Sequence, residues 1–160
     1  MTTDEIYGLA TWFHSPLGAI LLQKEARLLV QGVRRFHGDS MLWLGPTPVP
    51  SVELDRCMVR HRIYGSMTSA QRWQSEAGSS ASTYCGVIEA LPFPPASMDA
   101  VVLHHALDCC RDPRAAMREV YRVLRPGGRL VICGFNPLSL WGARRVVARF
   151  RRDALSDLRF

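Results

Sequence analysis

The stretch from Leu91 to Trp141, LPFPPASMDAVVLHHALDCCRDPRAAMREVYRVLRPGGRLVICGFNPLSLW, constrains the fold more than any other part of the chain. Met98 to Leu103 is a short apolar run with β-branched residues and one acid, Asp99, which suits a buried strand. Asp112-Pro113 is a helix start, with a carboxylate for free N–H groups and a proline whose missing N–H costs nothing there. Pro113, Met117, Val120 and Leu124 follow as one helical stripe. Arg125-Pro126-Gly127-Gly128 stops that helix, because proline cannot continue it and glycine accepts left-handed dihedrals. Arg129 to Phe135 is a second apolar strand, ended by Asn136-Pro137. Two apolar strands joined through a helix form a βαβ crossover in a parallel sheet covered on both faces.

The same residues carry a family resemblance. Leu91-Pro92-Phe93-Pro94, Ser97-Met98-Asp99, His104-His105, Asp112-Pro113 and Val123 to Gly128 stand in an order and spacing similar to class I S-adenosylmethionine-dependent methyltransferases of the type 11 kind. The resemblance is specific over residues 86–141. It implies an α/β, Rossmann-like doubly wound parallel sheet with strand order 3-2-1-4-5, and S-adenosylmethionine as cofactor. It also implies a cofactor crevice at the C-terminal ends of the strands.

Earlier segments fit that plan with departures. Ser15-Pro16 opens an amphipathic helix over about 15–37, with Leu22, Ala26, Leu29, Val33 and Phe36 on its apolar side and Gln23, Lys24, Glu25, Arg27 and Arg34 opposite. Trp12 and Phe13 ahead of it are read as core packing, with an aromatic lid as the alternative. Ser40 to Leu44 is the first strand and Gly45 ends it. The family pattern there is an acid, one residue, then Gly-x-Gly-x-Gly. Gly45 matches the first glycine, whereas the acid falls on Trp43 and the later glycines on Thr47 and Val49. A short helix is expected over 51–58, a second strand over 59–65, a helix over 68–76 and a third strand over 83–87. The ribose-binding acid should lie near Ser66, yet no acid occurs between Asp55 and Glu76. The acid that commonly follows the third strand's glycine is Val87 here, after Gly86, and Glu89 is the candidate substitute.

The resemblance therefore assigns cofactor binding to Leu44, Gly45, Pro46, Ser66, Glu89, Ala90, Leu91 and His104. The Leu91-Pro92-Phe93 turn would wall the adenine. His104 and His105, at the end of the fourth strand, are the candidate general bases, because an unperturbed imidazole pKa of about 6.5 suits proton removal from an acceptor. The competing reading has one ring packed in the sheet and the other lining the cofactor. Asp99, at the start of its strand, is read as a turn hydrogen-bond partner. His14, His37 and His61 read as structural or exposed.

Composition narrows the setting. With 160 residues the chain suits one domain: an N-terminal helix about 15–37, a core over 40–135 and a basic segment over 142–160. No apolar run approaches the ~20 residues that span a bilayer. Five irregularly spaced cysteines and an acidic, signal-free start point to reduced thiols and a cytoplasmic setting. Cys109-Cys110 have no second pair at zinc-ribbon spacing, so no metal site is expected. Four of the six net positive charges lie between Arg144 and Phe160. A solvated helix face is the favoured reading of that segment, with a nucleic-acid or anionic-surface arm as the alternative. The family usually ends with a further helix and a hairpin, so the C-terminal strand pair of the sheet is expected to be missing.

Function follows as an expectation: an S-adenosylmethionine-dependent methyltransferase of unknown acceptor. The alternative is a methyltransferase-like binding or scaffold domain that no longer catalyses. A nicotinamide-dependent Rossmann enzyme ranks third, because its glycine fingerprint and ribose acid are equally absent.

Overall fold

The computed structural model describes residues 11–45, 57–66 and 81–136. Its elements are α1 (Pro16–Val33), β1 (His37–Gly45), β2 (Met58–Ser66), β3 (Ala81–Cys85), β4 (Met98–His104), α2 (Ala106–Cys109), α3 (Pro113–Val123) and β5 (Leu124–Cys133). The expected Pro46, most of the helix over 51–58, the helix over 68–76 and the basic segment 142–160 lie outside the described residues. Among the described residues no helix is long and apolar enough to cross a membrane.

The five strands form one sheet in the order β3-β2-β1-β4-β5, and every neighbouring pair is parallel. This is the doubly wound order the resemblance implied, and β4 and β5 are parallel as their helical crossover requires. At β1 and β4 both faces are buried, so these strands are apolar at consecutive positions rather than alternating. On one face Leu42, Leu44, Val101 and Leu103 pack against Ala116, Val120 and Val123 of α3, with Ile88 and Leu91. On the other, Met41, Trp43, Ala100 and Val102 pack against Leu29, Val33 and Phe36 at the α1 end. Burying each large apolar side chain is worth roughly 1.5–3 kcal/mol, so three anchors suffice to fix α1 on its face.

Local chemistry explains the boundaries. Asp112 caps α3, its Oδ1 accepting the N–H groups of Arg114 at 2.8 Å and Ala115 at 3.1 Å, with Pro113 at the first turn. The buried stripe of α3 runs through Ala116, Val120 and Val123, while Met117 and Leu124 are only partly covered and Pro113 is exposed. The buried stripe is therefore rotated by one position from the expected one, onto Ala116 and Val123 in place of Met117 and Leu124. Ser15 Oγ accepts the Gly18 N–H at 3.2 Å and so starts α1.

Three boundaries differ from expectation. α1 ends at Val33, and the chain is already extended at His37, where β1 begins. β3 occupies 81–85, two residues earlier than the 83–87 expected. β5 begins at Leu124, and the Pro126-Gly127-Gly128 run lies inside it as an irregularity. Met98 pairs with Leu124 and Ala100 with Arg129, so extra β5 residues are looped out there, Gly127 taking φ 78°.

Asp99 anchors the opposite end of the sheet from the crevice. Its Oδ2 accepts the N–H groups of Asp39 at 2.8 Å and Ser40 at 3.0 Å, and its Oδ1 accepts from Arg125 at 2.7 Å. Gly38, at φ 139°, leaves the room for this carboxylate, since a Cβ there would stand 2.6 Å from Asp99 Cγ.

Candidate functional site

In an open α/β sheet the ligand crevice forms where the strand order reverses, outside the carboxyl ends. Here that point lies between β1 and β4. Gly45 pairs with Ser66 at the ends of β1 and β2, Leu44 pairs with Leu103, and His104 pairs with Cys133 at the ends of β4 and β5. The sheet thus brings Leu44, Gly45, Ser66 and His104 together at the carboxyl ends of its strands.

The side chains at this edge are more committed than the sequence suggested. Leu44 is fully buried in the core. Gly45 is buried, and a Cβ there would collide with the His104 carbonyl oxygen, so this glycine serves strand packing. Trp43, in the place of the family's acid, is buried against Met41 and Val102, and its indole N–H has no partner among the described residues.

The segment after β3 forms the next wall. Glu89 Oε1 accepts the N–H groups of Arg111 at 2.6 Å and Asp112 at 3.2 Å, which ties this acid to the loop before α3. Ala90 is exposed. Leu91 is buried, its N–H donating to Glu119 Oε2 at 2.9 Å and its carbonyl accepting from Arg122 at 2.8 Å. Arg122 also reaches the Phe93 carbonyl at 2.8 Å and pairs with Glu119 at 2.7 Å. The Leu-Pro-Phe turn is thereby held rigid from α3. Helical spacing could have signalled this pair, since residues three apart share a face.

His104 and His105 lie in a buried polar cluster. His104 follows the parity of Ala100 and Val102, so its ring faces α1, where its Nε2 meets Glu25 Oε2 at 3.1 Å. His105 turns into the left-handed region at φ 54°, and its N–H donates to the Cys133 carbonyl at 2.7 Å. Its Nε2 also faces Glu25 Oε2 at 3.1 Å, while its Nδ1 meets Asp108 Oδ2 at 2.9 Å. Asp108 Oδ2 accepts the Phe135 N–H at 2.9 Å as well. Phe13 and Phe135, nearly parallel, flank the His105 ring at 4.8 and 4.6 Å between centroids. Trp12 stands edge-on to Phe135. Burial and core packing thus describe Phe13, which is 2% exposed.

Electrostatics follow from this geometry. Burial works to raise the Glu25 pKa, but the hydrogen bonds from His104 and His105 outweigh it and hold the carboxyl at about 2. Burial works to lower that of His105, yet its bonds to Asp108 and Glu25 raise it above the ordinary imidazole value. Burial and the Glu25 charge push the Cys133 thiol up to about 12. Sequence reasoning placed Glu25 on the polar side of its helix, and the structure corrects this. The signal was present: Glu25 lies three residues after Leu22 and four before Leu29, on the apolar stripe. Asp108 and Cys133 carried no such mark. His14, His37 and His61 are exposed, and all five cysteines are free thiols.

Comparison with known proteins agrees with the fold. Residues 56–132 match the family described as "Methyltransferase domain". An uncharacterized protein of Escherichia coli K12, YafS, is 31% identical over 143 residues, covering 89% of this chain and 55% of its own. A demethylmenaquinone methyltransferase of Streptomyces griseus is 46% identical over 65 residues, covering 41% of this chain and 28% of its own. The chain thus spans about half the length of the first relative and under a third of the second. Among solved structures, a putative methyltransferase in complex with the Haloferax volcanii Trm112 methyltransferase activator superposes with TM-score 0.62 at 19% identity, covering 78% of this chain and 58% of that one. A putative S-adenosylmethionine-dependent methyltransferase of Methanococcus maripaludis gives 0.61 at 16% identity, covering 82% and 63%. The parallel 3-2-1-4-5 sheet and the solved structures give this chain the class I methyltransferase fold, and residues 56–132 resemble the type 11 methyltransferase domain.

Proposed function

We propose that this chain is an S-adenosylmethionine-dependent methyltransferase whose cofactor lies across the carboxyl ends of β1 and β4. The observation that carries the reading is the reversal of strand order between those two strands, with Leu44, Gly45, Ser66 and His104 ending at one edge. The backbone fits such a ligand: the strands end together, Ala90 is exposed beside them, and the Leu91-Pro92-Phe93 turn is fixed by Arg122. The cofactor would supply an electrophilic methyl group on a sulfonium. The chain's task is then alignment, and proximity can account for several kcal/mol of barrier, on the order of 7–11 at best.

Individual roles follow from what each residue already does. Gly45 and Leu44 would present backbone to the ligand, with Pro46 and Ser66 beside them. Glu89 would meet the adenosine through the oxygen not spent on Arg111 and Asp112. Leu91 would contribute its side-chain edge, because its N–H and carbonyl are engaged by Glu119 and Arg122. A general-base role for His104 or His105 requires α1 to withdraw Glu25, since both rings are buried against it. The alignment reading needs no such motion, and it treats both histidines as positioning residues.

Calorimetric titration with S-adenosylmethionine, up to millimolar ligand, tests the reading. Wild type should release heat with one-site stoichiometry. Glu89→Gln keeps the acceptor for Arg111 and Asp112 and should weaken binding about tenfold, the worth of one charge-assisted hydrogen bond. An absence of heat with folded wild type would leave the domain a binding or scaffold module. Gly45→Val is unsuitable, because its side chain would strike the His104 carbonyl and report on folding instead.

A further inference from the structure

Glu25, His104, His105 and Cys133 offer one ligand atom each, all within 4.8 Å of one another. We propose that these four residues bind a zinc ion, which bolts α1 onto the carboxyl ends of β4 and β5. The inference goes beyond methyl transfer and stands or falls without it.

Three observations converge on the site. The donor set is two imidazole nitrogens, one carboxylate oxygen and one thiol sulfur, which is the nitrogen–sulfur–oxygen chemistry zinc takes in tetrahedral sites. Bonds of roughly 2.0–2.3 Å place tetrahedral ligands about 3.3–3.8 Å apart, a spacing this cluster reaches by small side-chain adjustment. The second observation is support from outside the cluster. Asp108 Oδ2 accepts from His105 Nδ1 at 2.9 Å and is itself held by the Phe135 N–H. This carboxylate–histidine pairing holds a proton on Nδ1 and aims Nε2 at the ion's position, as it does for metal-ligating histidines.

The third is charge. His104 Nε2 and His105 Nε2 each stand 3.1 Å from the same Glu25 oxygen, with rings 1% and 0% exposed. Without the ion, ring protons bridge to that carboxylate; a divalent cation takes their place. Zinc with one carboxylate and one thiolate is neutral overall, which suits a buried centre capped by Phe13 and Phe135.

Binding breaks the Cys133 S–H bond and forms S–Zn, the proton leaving to solvent. His104 and His105 bind as neutral rings through Nε2, so any proton held there also leaves. Four protein ligands close the coordination sphere, which makes the site structural: it has no open position for substrate. The ligands come from α1, from β4 and its end, and from the end of β5, so the ion would cross-link elements that otherwise meet through apolar packing and the Glu25–histidine bonds.

The test uses the full chain, stripped with a chelator and titrated with cobalt(II) as the spectroscopic stand-in. Wild type should take up one equivalent and develop the ligand-field bands of tetrahedral cobalt with a thiolate charge-transfer band, and zinc should raise its melting temperature. Cys133→Ser should lose the charge-transfer band and keep weaker ligand-field absorption, whereas Cys85→Ser, exposed on β3, should keep both. Asp108→Asn should loosen cobalt about 10–100-fold. Circular dichroism before titration establishes that each protein is folded. Folded wild type that shows no tetrahedral bands, or a charge-transfer band that survives Cys133→Ser, overturns the proposal; the methyltransferase reading is untouched by either result, because its calorimetric test is separate.

Discussion

Arg122 donates from one guanidinium nitrogen to the Leu91 carbonyl at 2.8 Å, and so couples the α3 helix to the Leu91-Pro92-Phe93 turn. The same side chain reaches the Phe93 carbonyl and both oxygens of Glu119. Replacing it by Lys keeps the charge but not the planar fork that spans two carbonyls and a carboxylate. Arg122→Lys should therefore lower the melting temperature and speed amide exchange at Leu91. Unchanged exchange at Leu91 would show that the turn is held by its buried side chain instead.

Asp99 provides a prediction in pH. Burial works to raise its pKa, but the Ser40 N–H, the Arg125 guanidinium and the Asp39 N–H outweigh it and hold the carboxyl below its ordinary value of 3.8. A depressed carboxyl stabilises the fold above the unfolded pKa, and that contribution is lost as pH falls through the folded one. Asp99→Asn should cost about 1–3 kcal/mol at neutral pH. Melting curves of the two proteins should converge in acid below the folded pKa; a constant gap down to that pH would refute the assignment.

Gly45 is fixed by the backbone of β4. Gly45→Ala should destabilise by about 1–3 kcal/mol in urea unfolding, because its Cβ meets a carbonyl oxygen that cannot rotate away. Wild-type stability in this variant would mean that the ends of β1 and β4 separate more easily than their pairing suggests.

Trp43 separates packing from polarity. Trp43→Ala should cost about 3–5 kcal/mol through the cavity it leaves. Trp43→Phe removes a buried N–H that has no partner among the described residues, and this gain offsets the smaller ring. Its net change should stay within about 1 kcal/mol. A loss for Phe as large as for Ala would reveal a partner for the indole N–H.

The fold was legible because each crossover element carries its own punctuation. Asp112-Pro113 starts α3, and the valines of β4 mark a strand buried on both sides, whereas β5 at the sheet edge is only partly covered. Parallel pairing followed from the connection length alone. The site was legible only in outline. His104 and His105 were visible as a pair, but their partner Glu25 is distant in sequence, and only the packing of α1 brings it near. Reading Glu25 as a solvated charge followed its residue type and overlooked its place between Leu22 and Leu29. Glu89 shows the converse. It was visible as an acid near the expected position, while its bonds to Arg111 and Asp112 depend on how the loop before α3 folds back.

The hydrogen bond from the Asp39 N–H to Asp99 spans 60 residues of chain, and the pairing of β1 with β4 is comparably remote. Closing so long a loop costs entropy before any contact returns it, so the middle of this sheet forms late and slowly. During synthesis β1 leaves the ribosome well before β4. Leu42 and Leu44 then wait for a partner strand not yet made, an interval in which the nascent chain is open to aggregation and to capture by chaperones.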